Sequence, residues 1–182
     1  MTTANQSTPE TGTSAEDVAD VVVIGGGPAG ENVAQYAHEG GLSAVIVEES
    51  LLGGDCSYYA CMPSKALLRP LEVAATAKHL HGVTSPEVDR AGLLARRDAW
   101  VSHYDDAGQV RWAEKAGLRV VHGHAEITGP REVLVGENGR SRTLTARLAV
   151  VVATGFEPRG AARAAGHPRL ELAGRHRRGG GP

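Results

Sequence analysis

The first sharp pattern along the chain is a run of β-branched apolar residues, Val21-Val22-Val23-Ile24, preceded by Asp20 and followed at once by glycines at 25–27. An unbroken apolar run of this kind predicts a strand buried on both faces. Glu31 to Gly40 then carries Val33, Ala34, Tyr36 and Ala37 for one packed helical face, and Gly40-Gly41 marks its end. Ala44 to Val47 is a second buried strand, closed by Glu48. Strand, glycine turn, helix and strand make one βαβ unit.

Gly53-Gly54 breaks the chain before a segment running through Cys56, Cys61 and Leu68. Leu71 to Leu80 and Pro86 to Gly117 read as helical, with Leu93, Leu94, Trp100, Tyr104 and Trp112 as candidates for a packed face. Arg119 to His122 is a predicted strand. Short strands follow at 125–127, 132–135 and 143–145, with turns at Gly129-Pro130 and Asn138-Gly139. Arg147 to Ala153 is the last buried strand, before Thr154-Gly155. The expected fold class is α/β: a parallel sheet with flanking helices and a small antiparallel β-meander inserted late.

Composition narrows this further. The chain has 182 residues, enough for one domain with a real core, and only 4% aromatics, so Val, Ala, Leu and Ile must build that core. A net charge of −2 gives no general attraction to nucleic acid or anionic lipid. No apolar run approaches the ~18 residues of a membrane span. Residues 1–18 are polar, lack Lys and Arg, and are expected to be a disordered leader rather than a secretory signal. The expected location is cytoplasmic. Residues 159–182 change character, with six Arg and six Gly, and are expected to be an unstructured tail.

Gly25, Gly27 and Gly30 form a GxGxxG pattern between strand and helix. Gly25 permits a tight turn, Gly27 lets a pyrophosphate approach the backbone, and Gly30 permits close helix–strand packing. Pro28 suits the first helical turn, and the helix N-terminus favours phosphate. Glu48 ends the next strand, where a carboxylate can accept both ribose hydroxyls and repel a 2′-phosphate. These residues predict a dinucleotide site; they do not separate FAD from NAD.

Both cysteines, Cys56 and Cys61, fall in one short window. Metal binding lacks further ligands at recognisable spacing. Two inert buried thiols are a second reading. A redox dithiol is favoured, because the pair follows the nucleotide-binding unit, with Lys65 available to supply positive charge. Five residues of ideal helix would hold the two Cα atoms roughly 8–9 Å apart, beyond the ~7 Å limit for a disulfide. If the two thiols pair, the backbone between them cannot be ideal helix. Pro63 is the expected cause of the break, through its missing N–H and its effect on Met62.

The segment Gly53-Gly54-Asp55-Cys56 through Cys61-Met62-Pro63-Ser64-Lys65-Ala66-Leu67-Leu68 resembles the active-site segment of the class I pyridine nucleotide–disulfide oxidoreductases. GGGPAG at 25–30, including Ala29, supports the resemblance, as do Glu48, Gly123-His124-Ala125 and Ala153-Thr154-Gly155. It covers residues 19–158. The resemblance implies a Rossmann-like FAD-binding domain, incomplete at its C-terminal side. It implies FAD in the first nucleotide fold, with Gly54, Asp55, His124, Ala125, Ala153, Thr154 and Gly155 around it. Cys56 would be the interchange thiol, Cys61 the thiol beside the flavin, and Lys65 a neighbour of flavin N5. Asp55 stands where the family usually has Thr or Glu, and Ser57-Tyr58-Tyr59-Ala60 replaces the common Leu-Asn-Val-Gly.

The implied activity is an NAD(P)H/FAD-dependent oxidoreduction acting on a sulfur group. Lipoamide, glutathione-like disulfides, Hg(II) and quinones are all candidate acceptors. Full-length members are homodimers and carry an NAD(P)H domain and a His–Glu pair that this sequence lacks, so little turnover is expected of the chain alone. Residues 160–182, back-translated with GC-rich codons and read one nucleotide later, give a Pro-rich string like the family's usual continuation. A frameshift near Arg159-Gly160 is the expectation; an Arg/Gly-rich arm contacting nucleic acid is the rival. A non-catalytic nucleotide-binding module is the other alternative.

Overall fold

The computed structural model describes residues 15–84, 86–137 and 139–155. The tail and most of the leader lie outside the described residues. Within the stretch expected to be a leader, Ala15–Asp17 form a 3-10 turn, and the first strand, β1, begins at Val18 (Val18–Ile24). Arg119 holds this entry, bonding the Glu16 carbonyl and, at 3.0 Å, the Val18 carbonyl.

Next come α1 (Pro28–Glu39), β2 (Ala44–Glu48), α2 (Gly54–Tyr58), α3 (Cys61–Ala77), α4 (Arg90–Trp100), α5 (Ala107–Lys115), β3 (Arg119–His122), β4 (His124–Gly129), β5 (Glu132–Glu137) and β6 (Arg140–Val152). One six-stranded sheet runs in the order β3-β2-β1-β6-β5-β4. Pairs β3–β2, β2–β1 and β1–β6 are parallel, and β6–β5 and β5–β4 are antiparallel. The α/β class with its late meander is as expected. The expected separate strands at 143–145 and 147–153 are one strand of 13 residues. Its first half pairs with β5 in the meander, and its second half lies beside β1.

Two apolar clusters sit on opposite faces of the parallel strands. Val21, Val23, Ala44 and Ile46 point to the helical side, with Ala34 of α1, Ala113 of α5 and Leu118. Val22, Ile24, Val45 and Val47 point to the other side, against Val133, Val135, Leu144 and Ala146 of the meander. The meander therefore folds over one face of the parallel half while α1 and α5 cover the other. That is why β1 and β2 read as continuous apolar runs. A register shift between Ala19 and Val21 puts Ala19 on the same face as Val22. Beside it Asp20 accepts bonds from the Ser43 N–H (2.8 Å), the Ser43 hydroxyl (2.7 Å) and Arg147 Nε (2.7 Å), tying β1, β2 and β6 together.

The helical readings need three corrections. Residues 61–77 form one helix, with Pro70 inside it, where the sequence suggested two segments. Pro70 removes the donor to the Ala66 carbonyl, and Arg96 Nε of α4 supplies another at 3.1 Å. Residues 86–117 are not one helix. Ser102, His103 and Tyr104 take left-handed backbones, with φ of 50°, 52° and 62°, and separate α4 from α5. Leu94 and Trp100, expected on a packed face, are exposed, Trp100 lying 4.7 Å under the Arg96 guanidinium. Val101 and Asp106 are buried in that stretch instead.

Candidate functional site

β1 ends in a turn that two neighbours fix. Gly25 N–H donates to the Val47 carbonyl at 2.8 Å, and Ala153 N–H donates to the Ile24 carbonyl at 2.8 Å. The turn is so tight that a Cβ on Gly25 would lie 2.5 Å from the Ala153 oxygen, and one on Gly30 would lie 1.9 Å from the Gly25 oxygen. Both glycines are therefore required by the fold itself.

Gly27 is different. A Cβ there would meet nothing nearer than the Gly54 Cα, at 3.9 Å. Nothing in the protein forbids a side chain at this position, and its φ of −77° suits any residue. No side chain caps α1, which opens with Pro28 and has Ala29 exposed in its first turn. An uncapped helix start behind a bare backbone fits the approach of a pyrophosphate.

Glu48 is committed on both oxygens. Oε2 accepts the Gly26 N–H and Oε1 accepts the Ser50 N–H, each at 2.7 Å. A carboxylate has further lone pairs, so ribose hydroxyls can still bond. The Gly53 N–H donates to the Gly26 carbonyl at 2.7 Å, bringing the cysteine segment against the glycine turn. Thr154 and Gly155 are exposed at the end of β6, and Ala153 packs on the Gly25 turn. His124 is exposed, its Nδ1 3.1 Å from Glu49 Oε2, so β4 is linked to the loop after Glu48. Ala125 packs against the meander-side core. The fold thus collects the predicted residues at the C-terminal ends of β1, β2 and β6, with His124 and Ala125 at one flank.

The helix does break between the cysteines. α2 ends at Tyr58 and α3 starts at Cys61, with Ala60 at φ −123° and ψ −86°. The Tyr59 and Ala60 N–H groups both donate to the Asp55 carbonyl, at 2.8 and 2.7 Å. The expected cause is corrected: Met62 is helical and Pro63 is buried in the first turn of α3, where a missing N–H costs little. Both thiols are half-buried. A side-chain hydrogen bond with Cys61 is the largest cause raising the Cys56 pKa above its ordinary value, followed by burial and the charge of Cys61. Lys65, itself exposed, pulls the other way but is outweighed. Asp55 is exposed in the first turn of α2.

Several neighbours of the site were not singled out from the sequence. Burial raises the Glu31 pKa, opposed by a 3.0 Å bond from Gln109 Nε2 and reinforced by Glu48. The Tyr58 hydroxyl is pushed up to about 12, by burial first and then by Asp106, Glu31 and Asp105. Asp106 is fully buried, accepts the Leu52 N–H at 2.9 Å and lies 3.9 Å from His122 Nε2. An acidic pair before a helix, Asp105-Asp106, looks like a capping signal, which hides this long-range role. Among the described residues no cluster of His, Cys, Asp or Glu could hold a metal ion, and no helix is long and apolar enough to cross a membrane.

The chain resembles known proteins in sequence and in fold. The leghemoglobin reductase of Vigna unguiculata is 37% identical over 150 residues, covering 79% of this chain and 28% of its own length. The dihydrolipoyl dehydrogenase of Chlorobaculum parvum is 38% identical over 144 residues, covering 77% of this chain and 30% of its own length. The chain therefore spans less than a third of these curated relatives. Among solved structures, the Cu(II) complex of the HOCl-induced flavoprotein disulfide reductase RclA from Escherichia coli has the same fold, with a TM-score of 0.61 at 20% identity over 78% of this chain and 30% of that one. The family described as pyridine nucleotide-disulphide oxidoreductase matches residues 19–177, past the Pro158 limit of the resemblance read from sequence, and the chain belongs to that family.

Proposed function

We propose that this chain binds FAD at the β1–α1 turn and uses Cys56 and Cys61 as a redox couple in NAD(P)H-linked disulfide oxidoreduction. One observation carries this reading: two half-buried cysteines flank a helix break, on a segment whose backbone is pinned to the glycine turn by the Gly53 N–H. FAD, when bound, relays an electron pair between a pyridine nucleotide and sulfur. The chain's own residues hold and aim it. The Gly27 backbone and the start of α1 receive the pyrophosphate, and Glu48 accepts the ribose hydroxyls while fixing the turn. Cys56 exchanges with the acceptor, Cys61 faces the flavin, and Lys65 favours the Cys56 thiolate.

The names of the relatives favour a small dithiol or disulfide such as lipoamide as the sulfur partner. A reducing compartment such as the cytoplasm suits a close cysteine pair that serves in catalysis rather than as a structural disulfide. As in the family at large, the whole protein would supply the pyridine nucleotide site and a partner subunit.

The test is spectroscopic. The purified chain is mixed with FAD, freed of excess, and reduced by two electrons. Bound flavin with a long-wavelength charge-transfer band, lost in Cys61→Ser, is the expected result. Flavin binding without that band in either protein supports a non-catalytic nucleotide module instead, and absence of flavin binding overturns the reading altogether.

A further inference from the structure

The turn at residues 101–106 touches the cysteine segment twice. Its three left-handed residues, Ser102, His103 and Tyr104, include no glycine or asparagine. Such a conformation is locally unfavourable and persists only where surrounding contacts hold it, a pattern that concentrates at functional sites. One contact is Asp106, buried, accepting the Leu52 N–H at 2.9 Å, just ahead of Gly53-Gly54 and Cys56. The other is Tyr104, whose ring stacks on Tyr59 at 5.6 Å between centroids and 28° between planes. Tyr59 lies between the cysteines, at the residue where α2 stops. The turn also follows directly on α4, which packs against α3. Both sides of Cys56 are thus held by one element distant in sequence.

We propose that the 101–106 turn is a positioning device for the Cys56–Cys61 pair, with Tyr104 and Asp106 as its positioning residues. The inference rests on reading that pair as a redox couple. The thiols can meet only where the chain between them departs from helix, as it does at Tyr59 and Ala60. A ring pressed on Tyr59 and an acceptor fixed on Leu52 restrict the other arrangements open to this junction. The restriction raises the effective concentration of one sulfur at the other, and with it the tendency to form the disulfide. Without the contacts the junction explores states in which the sulfurs are apart.

Glutathione buffers of graded poise, with alkylation trapping and mass spectrometry, test this on the full 182-residue chain. In the exchange, one glutathione disulfide is reduced to two glutathione thiols. Cys56 and Cys61 lose two electrons and two protons, and their S–S bond replaces the one broken. Tyr104→Ala is expected to lower the equilibrium constant for the Cys56–Cys61 disulfide about tenfold, a shift of about 30 mV to more oxidising potential. Tyr104→Phe keeps the ring and should stay at the wild-type potential. Tyr59→Leu removes the other half of the stack from an exposed position and should reproduce the shift even where Tyr104→Ala folds poorly. Val133→Ala, in the meander core, should lower thermal stability without moving the potential. Unchanged potentials in both Tyr104→Ala and Tyr59→Leu overturn the inference while leaving the redox reading intact. A wild-type chain that forms no such disulfide at any poise overturns both.

Discussion

A Cβ placed on Gly30 would sit 1.9 Å from the Gly25 carbonyl oxygen, whereas one placed on Gly27 has 3.9 Å to its nearest neighbour. Two glycines of one motif therefore answer to different constraints. Gly30→Ala should destabilise the fold by about 3 kcal/mol or more, because backbone must move. Gly27→Ala should change stability by no more than about 0.5 kcal/mol. Its effect should appear in FAD affinity, weakened more than about tenfold, or roughly 1.4 kcal/mol. Urea titration and flavin fluorescence measure the two quantities. Equal affinity in Gly27→Ala and wild type would remove the case for a pyrophosphate at this turn.

The link between Arg96 and Ala66 answers to Pro70. Arg96→Ala should cost about 1–3 kcal/mol, since the Ala66 carbonyl then lacks both its helical donor and its substitute. Pro70→Ala restores an N–H to the ladder, so Arg96→Ala should cost distinctly less in that background. A double-mutant cycle by urea unfolding reads the coupling. Identical costs in the two backgrounds would show that Arg96 acts only through its packing on Trp100.

Asp20 makes stability depend on acid pH. Arg147's hydrogen bond, then the Ser43 N–H and hydroxyl, hold its carboxyl well below the usual carboxylate range. The unfolded chain therefore binds this proton more readily, and the group stabilises the fold above its unfolded pKa of about 4. That contribution is lost as pH falls below about 4. Asp20→Asn should be less stable than wild type at pH near 7, with the gap closing towards the acid end. Chemical denaturation across that range checks it, and a gap that stays constant would count against the mechanism.

Cys56 in the flavin-free, reduced chain should be a slow nucleophile. Its pKa is raised chiefly by the hydrogen bond with Cys61. Cys61→Ala removes that cause and leaves Lys65 as the main charge nearby, so the pH profile of Cys56 alkylation should move to lower pH. Lys65→Met should move it the other way. Iodoacetamide labelling followed by mass spectrometry gives both profiles, and a Cys61→Ala profile unchanged from wild type contradicts the thiol–thiol contact.

How far the sequence revealed all this depended on the range of the forces involved. β1, the glycine turn and β2 were legible because apolar runs and φ-permissive residues act locally. The break between Cys56 and Cys61 was legible from helix dimensions once the two thiols were read as a pair, although its cause was not Pro63. What escaped needed a distant partner. Pro70 stays helical because of an arginine in another helix. Asp106 is buried because Leu52 needs an acceptor. Ser102-His103-Tyr104 carries no left-handed signature, and its shape depends on contacts with residues around the cysteines. The unity of β6 was hidden because its two halves have different neighbours, one polar-faced and one in the parallel core.

That long final strand also sets a timetable. β1, made first, has β2 close behind it on one flank, but on the other its neighbour runs from Thr145 to Val152. As the chain leaves the ribosome, β1 must wait for all the other described strands before its second edge is satisfied. Until then Val18 to Ile24 presents a bare, apolar row of amides, and a nascent protein halted short of that point would be a substrate for chaperones rather than for nucleotides.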